Sequence, residues 1–330
     1  MRKALFAFAV QMAFAARLFG QALPLFPQHA EYLTHINPAA MPVEHLLQEV
    51  RYDWSASSSH RNQWAAQSGP KYLAGRVEWS NTKEPDGLQL AGLGAHLLAF
   101  KTGPVQRTGV FARVAARQNL NDRWRLCGGI SLGSVFYQAN VTQLFLLHSD
   151  DPALTNLPRS QTQAALGAGV FAYYRPQGAD EANECVWTGA SMPQALAKPF
   201  HKTDSASLVP SRWSGGPLYV TAGWHTSSAH AGARTFIEPS IWLKSEPGFP
   251  LIPEASCKWG LQFEEPDLQF WLCAGYAFQT NMIHTELGFD WNIGLHQMAR
   301  FTAAYDLFRK RYRSLFPAAF EVGLAFLHKK

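Results

Sequence analysis

The stretch that decides the fold covers residues 124–137 and reads WRLCGGISLGSVFY. Large apolar side chains, among them Trp124, Ile130 and Phe136, occupy five of the seven alternate positions, and Gly128 and Ser134 occupy the other two. The positions between them hold small or polar residues such as Gly129 and Ser131. A period of two residues is typical of a β-strand, because successive side chains of a strand point to opposite faces. The stretch therefore predicts a strand with one apolar face and one small or polar face.

The same alternation recurs along the chain, in about fourteen segments of roughly ten residues each. A membrane-spanning strand needs about 9–11 residues, whereas strands of globular proteins average about 5–6. An even number of strands is usual for bacterial barrels. We therefore predict an all-β fold, a transmembrane antiparallel β-barrel of about fourteen strands. The predicted strand centres lie near Val50, Val77, Leu93, Ala112, Ile130, Gly169, Val186, Val220, Ile241, Gly260, Leu272, Phe289, Ala303 and Leu324.

Composition supports this choice. The charged fraction is 16%, below the roughly 25% of soluble domains, and the hydrophobic fraction of 47% is too high for disorder. The mean hydropathy of −0.15 is too low for a bundle of membrane helices. A soluble all-β protein is the alternative. Tryptophans placed for the interfacial girdles of a barrel are Trp54, Trp79, Trp124, Trp187, Trp224 and Trp291.

The first residues resemble a secretory signal peptide. A basic start, Met1-Arg2-Lys3, precedes an apolar run, and small residues follow at Gly20 and Ala22, either of which suits cleavage. We expect a signal peptide over residues 1–20, a periplasmic or plug segment over 21–43 and a barrel over 44–330. Removal of residues 1–20 lowers the formal net charge from +5 to +2, and we expect no nucleic-acid partner.

Interior positions of the predicted strands carry specific requirements. Glycine, alanine and serine on the inward face leave room for a lumen, a plug or an inserted segment. Arg113 and Arg117 share one face of a strand, and we expect them to need water or carboxylate partners, since an unpaired buried charge is costly. Two long polar connections, residues 138–161 and 196–216, join strands.

Catalytic and metal motifs are weak. Residues 129–133 match G-x-S-x-G, but Ser131 lies in mid-strand, whereas a nucleophile elbow needs a strand-to-helix turn. A barrel hydrolase with an outward Ser131, using His148 or His225 as base, is the broader version of this idea. The pair Asp150 and Asp151 reads as turn residues. We predict no enzyme activity, no catalytic or metal site, and no cofactor.

Four cysteines, Cys127, Cys185, Cys257 and Cys273, lie in strand-like runs and lack zinc-binding spacing. Four cysteines of an exported chain allow three disulfide pairings. Buried free thiols are the other possibility.

Four short motifs follow one another along the chain: Phe26-Pro27-Gln28, Asn37-Pro38-Ala39, Arg51 with Trp54, and Asp151-Pro152. In order and spacing they resemble the PorP/SprF family of type IX secretion and gliding motility in Bacteroidetes. The resemblance covers almost the whole chain after the signal. Pro27 and His29 depart from the family's usual serine and tyrosine. The positions that match family motifs, without an assigned role, are Phe26, Gln28, Asn37, Pro38, Ala39, Arg51, Trp54, Asp151 and Pro152.

This resemblance implies a non-enzymatic outer-membrane barrel that supports export or surface anchoring of cargo proteins. The implied partners are outer-membrane lipid, the periplasmic ring or a peptidoglycan-binding linker of the secretion system, and a secreted cargo or surface adhesin. The alternative function is a passive channel for small or apolar solutes.

Overall fold

The structure of the chain is a computed structural model. It describes residues 29–41, 52–63, 69–81, 87–139, 160–176, 184–199, 216–230, 232–245, 251–263, 268–279, 281–294, 296–308 and 319–329. These residues form one helix and fourteen antiparallel strands, and β1 pairs with β14 to close the barrel. Each strand pairs with its neighbours in sequence. The predicted fold class is confirmed.

The elements are ten to sixteen residues long for the strands and eight for the helix. Helix α1 spans His29–Ile36. The strands are β1 Tyr52–Gln63, β2 Lys71–Ser80, β3 Gln89–Thr102, β4 Val105–Asn119, β5 Trp124–Ala139, β6 Ser160–Tyr174, β7 Glu184–Pro199, β8 Leu218–His230, β9 Ala233–Ser245, β10 Ile252–Phe263, β11 Leu268–Ala277, β12 Met282–Gly294, β13 Gln297–Phe308 and β14 Ala319–Lys329. Among the described residues, no helix has the length and apolar character needed to cross a membrane.

The alternation in sequence becomes an outward and an inward face. In β5, Ile130 and Leu132 are exposed on the outside, while Cys127 and Ser131 are buried on the inside. The outward side chains form an apolar surface, and the inward ones include most of the buried charges. This is the arrangement of a barrel that meets lipid outside and encloses polar groups inside.

Strand directions define two ends. We call the end where β1 begins and β14 ends the β1 rim, and the opposite end the loop rim. The two longest connections, residues 140–159 and 200–217, both join strands at the loop rim. Residues 140–159 and 200–215 of these connections, like the basic residues 309–313, lie outside the described residues.

The first strand was misplaced by the sequence pattern. Val50 lies outside the described residues, and β1 begins at Tyr52, so its centre falls near Ser57. The reason is its composition. β1 is rich in serine, including Ser55, Ser57, Ser58 and Ser59, and it lacks the large alternate residues that mark the other strands.

The prediction that Trp187 belongs to the outward tryptophan girdle is also wrong. Trp187 faces inward and is 4% exposed, because its ring packs over Gly223 on the neighbouring strand. Trp259 is instead outward and 45% exposed. Strand directions place Trp259 toward the β1 rim, with the outward tryptophans Trp54, Trp79, Trp124, Trp224 and Trp291.

The cysteines are all free thiols. Cys127 and Cys185 are buried on the inward face. Cys257 is exposed and Cys273 is partly buried, so the alternative that all four cysteines are buried free thiols is wrong for these two.

Candidate functional site in the barrel lumen

Residues 29–41 lie against the inward face of the wall, and we call them the luminal segment. They comprise α1 and the turn that follows it. Ile36, Asn37, Ala39, Ala40 and Met41 are each at most 2% exposed. Their partners lie on β1, β2, β4, β6, β7 and β14, so one side of the lumen is filled by this segment.

The turn is held in shape by Asn37. Its Oδ1 accepts a hydrogen bond from the Ala39 N–H at 3.0 Å, and its backbone N–H donates to Leu33 O at 2.8 Å. The Ala40 N–H donates to Asn37 O at 2.9 Å. An asparagine that bonds the backbone two residues further on is a standard turn former, and Pro38 fixes the φ angle between them. The Asn37-Pro38-Ala39 motif therefore specifies the turn itself.

The wall opposite this turn is made of glycine. A Cβ at Gly129 would lie 2.3 Å from Pro38 O, one at Gly169 2.1 Å from Asn37 Oδ1, and one at Gly189 2.7 Å from Asn37 Nδ2. These inward glycines lie on β5, β6 and β7. We call them the glycine socket. No other residue type fits at such distances without movement of the turn or the wall.

The socket lets Asn37 reach the backbone of the wall. Its Nδ2 donates to Val170 O at 2.9 Å, and Ser191 Oγ donates to Ile36 O at 2.9 Å. Hydrogen bonds of this kind satisfy polar groups that burial would otherwise leave without water. The turn and the wall are thus joined by complementary shape and by buried hydrogen bonds.

A buried ion pair lies beside the socket. Arg113 Nε donates to Glu78 Oε1 at 2.9 Å, and both side chains are 0% exposed. Arg113 Nη1 donates to Pro38 O at 3.0 Å and to Ala40 O at 3.1 Å. One guanidinium therefore links the wall carboxylate to the luminal segment.

The predicted carboxylate partner is found for Arg113, whereas a partner of Arg117 is a tyrosine hydroxyl. Arg113 has the carboxylate of Glu78, and Arg117 Nη1 donates to the Tyr173 hydroxyl at 3.3 Å. Arg76 adds a second link to the segment, since its Nη1 lies 3.4 Å from Thr34 Oγ1 and its Nε donates to Ser57 Oγ at 2.9 Å.

The helical end of the luminal segment is anchored nearer the loop rim. The Tyr32 hydroxyl donates to Glu321 Oε1 at 2.8 Å and also contacts Ser59 Oγ. Glu321 lies 3.6 Å from Arg61, which pairs with Asp306. Burial, and then the Glu321 carboxylate, raises the pKa of Tyr32 well above its usual value, so the hydroxyl stays protonated and can donate.

His35 lies between these two anchors. Its ring is 5.4 Å from that of His96 and 5.7 Å from that of Phe111. Burial, with His96 as the next cause, lowers the pKa of His35 well below its ordinary value. The ring is therefore neutral at physiological pH and packs as an aromatic group.

The opposite side of the lumen has its own polar network. Arg300 makes two hydrogen bonds to Asp290, at 2.7 and 2.8 Å, and Trp271 Nε1 donates to Glu286 at 2.8 Å. Lys258 Nζ lies 4.5 Å from the Trp271 ring centre, a cation–π contact. These groups, on β10–β13, are paired within the wall.

Of the residues matched to family motifs, Asn37, Pro38 and Ala39 meet in the socket, whereas Trp54 is outward at the β1 rim. Phe26, Gln28, Arg51, Asp151 and Pro152 lie outside the described residues. Sequence reasoning missed the socket glycines, Glu78 and Tyr32. The only signal was a set of glycines at inward strand positions.

The candidate nucleophile Ser131 and the candidate base His225 lie on different strands, β5 and β8. Ser131 is an inward residue in the middle of β5 and is 7% exposed, so the expectation of an outward serine is wrong. His225 lies on β8, where its Nδ1 is 3.2 Å from Glu238 and its ring stacks on Phe236. His148 lies outside the described residues.

A closed antiparallel barrel with an apolar outer surface and charged interior is an outer-membrane β-barrel protein. The sequence defines it further. The chain belongs to the PorP/SprF family of type IX secretion system membrane proteins, whose family model matches residues 20–326. By that description, the members of the family are membrane proteins of the type IX secretion system. No curated protein matches the chain.

Solved structures share the fold at low sequence identity. The toluene transporter TodX of Pseudomonas putida aligns with a TM-score of 0.56 and 8% identity, over 89% of this chain and 93% of that one. The CymD monoaromatic hydrocarbon channel aligns with a TM-score of 0.54 and 9% identity, over 94% of this chain and 95% of that one. The toluene transporter TbuX of Ralstonia pickettii aligns with a TM-score of 0.52 and 11% identity, also over 94% of this chain and 95% of that one. At such identity the likeness shows the barrel fold alone.

Proposed function

We propose that this chain is a non-enzymatic outer-membrane component that supports export or surface anchoring of cargo proteins by type IX secretion. The luminal segment is its plug, and the β1 rim faces the periplasm, where it docks on the secretion machinery. The loop rim faces the cell exterior and holds the cargo or a surface adhesin.

The observation that carries this proposal is the docking of Asn37-Pro38-Ala39 in the glycine socket. This contact joins a family motif near the start of the chain to the inward glycines of β5, β6 and β7, which lie about 90 to 150 residues later in the sequence. A segment held by complementary shape and by hydrogen bonds, two of them from the ion-paired Arg113, occludes one side of the lumen. Such a device suits regulated passage or docking better than free diffusion through an open pore.

The orientation of the barrel rests on its connections. Outer-membrane barrels have short periplasmic turns and longer extracellular loops. The two longest connections are both at the loop rim. Export cargo would then meet the loop rim, while other secretion components, the ring or a peptidoglycan-binding linker, would meet the β1 rim. An association with gliding motility follows only if the cargo is an adhesin.

The test is a gene deletion followed by mass spectrometry of surface and culture-medium proteins. We expect the loss of one or several proteins that carry sorting C-terminal domains. An unchanged set of secreted proteins would contradict the secretion role and favour a solute channel, which planar-bilayer conductance would then detect.

Complementation separates the barrel from its plug. A copy lacking residues 24–40 should insert in the membrane to the parental level but fail to restore secretion. A copy with Gly128→Ala is the matched control, because Gly128 is outward and a Cβ there meets nothing within 4 Å. Full secretion by the chain without residues 24–40 would contradict the role of the plug.

A further inference from the structure

The outer surface of the barrel has a groove beside the seam where β14 meets β1. Most outward residues are large and apolar, but four neighbouring positions on β1–β3 are small: Ala56, Ser58, Gly75 and Ala95. Ser58 pairs with Gly75, and Val77 pairs with both Ala56 and Ala95. Leu324 and Phe326 of β14 form one side, and Leu97 and Val110 form the other. The groove has a volume of about 470 Å³.

The groove continues to the β1 rim. A second hollow of about 320 Å³ shares Ala56, Val77 and Phe326 with the first and ends at Trp54, Gln297 and His328. From Trp54 to Ser58 the groove follows β1 for about 13 Å, at about 3.3 Å per residue. The hydrocarbon core of a bilayer is about 30 Å thick, so this length matches one leaflet. A membrane-spanning partner helix would need about twice that length.

The wall does not require small residues here. A Cβ at Gly75 would lie 3.8 Å from its nearest neighbour, Ser57 O, which is an ordinary contact, and its backbone is not in the left-handed region. Gly75 thus differs from Gly129, whose Cβ would strike the luminal segment. A groove that the fold does not impose, on a surface that meets lipid, indicates an occupant outside the barrel.

The chemistry at the two ends points to a lipid. The inner part is lined by aliphatic and aromatic side chains, which gain dispersion contacts from a hydrocarbon chain and lose them if the groove is empty. The rim end holds hydrogen-bond donors. Gln297 and His328 are exposed, and the exposed His296 has its ring 6.3 Å from that of His328. Imidazole and amide N–H groups are suitable donors to phosphate oxygens.

We infer that this groove binds one phospholipid of the leaflet at the β1 rim. One acyl chain lies along Ala56, Ser58 and Gly75, and the phosphate is bound by His296 and His328. The site goes beyond the secretion role, because a bound lipid would give the barrel a fixed contact with its leaflet at the seam.

Native mass spectrometry of the full-length barrel, purified from membranes in mild detergent, tests the acyl-chain site. We expect one retained phospholipid on the parent and an occupancy lowered by about tenfold in Gly75→Leu, which fills the groove. Ala222→Leu is the matched control, since Ala222 is also an outward, exposed small residue but lies on β8. Heat-modifiable migration on gels shows that each variant is folded.

The phosphate-binding part of the proposed site, formed by His296 and His328, is tested by adding defined lipids to the delipidated protein. The parent should bind palmitoyl-oleoyl-phosphatidylglycerol more tightly than dioleoylglycerol, which lacks the phosphate. The double variant His296→Ala/His328→Ala should bind the two equally. Equal binding by the parent would overturn the phosphate site. Equal retention by Gly75→Leu, or a co-purified membrane protein that Gly75→Leu removes, would overturn the lipid site.

Discussion

Inward glycines of the wall make room for two kinds of partner, the luminal segment and large side chains of neighbouring strands. On β5–β7, Gly129 and Gly169 accommodate Pro38 and Asn37 of the luminal segment. On β12, a Cβ at Gly288 would lie 2.1 Å from the Trp271 ring of the neighbouring strand, and Gly223 and Gly260 similarly face Trp187 and Phe236. The first set leaves space for the luminal segment, whereas the second leaves space for aromatic side chains of the wall.

Buried charges follow the same division. Arg113 pairs with Glu78 of the wall and also binds two carbonyl oxygens of the luminal segment. Arg300 is held by both oxygens of Asp290, one strand away. One side of the lumen therefore depends on the presence of the segment, and the other side is complete as a wall. Under the proposed function, the complete side would anchor the barrel and the side that depends on the segment would be the one that changes when the plug moves.

The substitution with the largest expected effect is Arg113→Ala. It leaves Glu78 buried without its main partner and removes the donor from Pro38 O and Ala40 O. Breaking a buried pair by removal of one partner costs about 3–5 kcal/mol. We expect that loss in the free energy of unfolding, measured by denaturant titration, together with faster amide exchange in peptides covering residues 29–41.

Arg113→Lys sharpens this result. Lysine keeps the positive charge but not the planar fork that reaches the wall and the segment at once. It should recover part of the unfolding free energy while the segment still exchanges quickly. If Arg113→Ala left exchange of residues 29–41 at the parental rate, the link between wall and segment would be wrong.

A pair of glycine substitutions has the next largest effect. Gly129→Ala and Gly288→Ala each force a Cβ into an occupied space, which costs about 1–3 kcal/mol in a packed interior. Gly129→Ala should displace the luminal segment. Gly288→Ala should instead displace Trp271 and break its hydrogen bond to Glu286. Exchange of residues 29–41 should rise only in the first variant.

A double-mutant cycle with deletion of residues 24–40 is the decisive control. In the shortened chain Gly129→Ala should become nearly neutral, because its clash has been removed, while Gly288→Ala should keep its full cost. Gly128→Ala, one residue from Gly129 but outward, should be neutral in both chains. Equal costs for Gly129→Ala in the two chains would show that the glycine serves the wall.

The sequence predicts the barrel well because its main signal is local. Alternation over ten residues reports which side of a strand meets lipid, and it correctly separates Ile130 from Ser131. It fails in β1, where serines remove the contrast, and at Trp187, where a large ring is inward because Gly223 makes room for it. The first error arises from the composition of β1 itself, and the second from a partner on the neighbouring strand.

The luminal site could be predicted only in part, because its contacts are long-range. Arg113 was expected to have a partner, but nothing near it in sequence identifies Glu78. Asn37 bonds to Val170, 133 residues away. Inward glycines look alike in the sequence whether they face Pro38 or Trp271. Only the folded barrel shows which of them form the socket.

The smallest expected effect comes from Tyr32→Phe, which tests the helical anchor of the luminal segment. The change removes the hydroxyl that donates to Glu321 and leaves the ring, so we expect a loss of about 1 kcal/mol, typical of one hydrogen bond. Amide exchange should quicken in α1 more than at Asn37-Pro38-Ala39, which the socket still holds. Tyr276→Phe is the matched control, because it loses a hydrogen bond of 2.7 Å to Asn281, away from the segment. Equal exchange of α1 in the two variants would mean that the segment is held by the socket and Arg113, and that Tyr32 adds only to the wall.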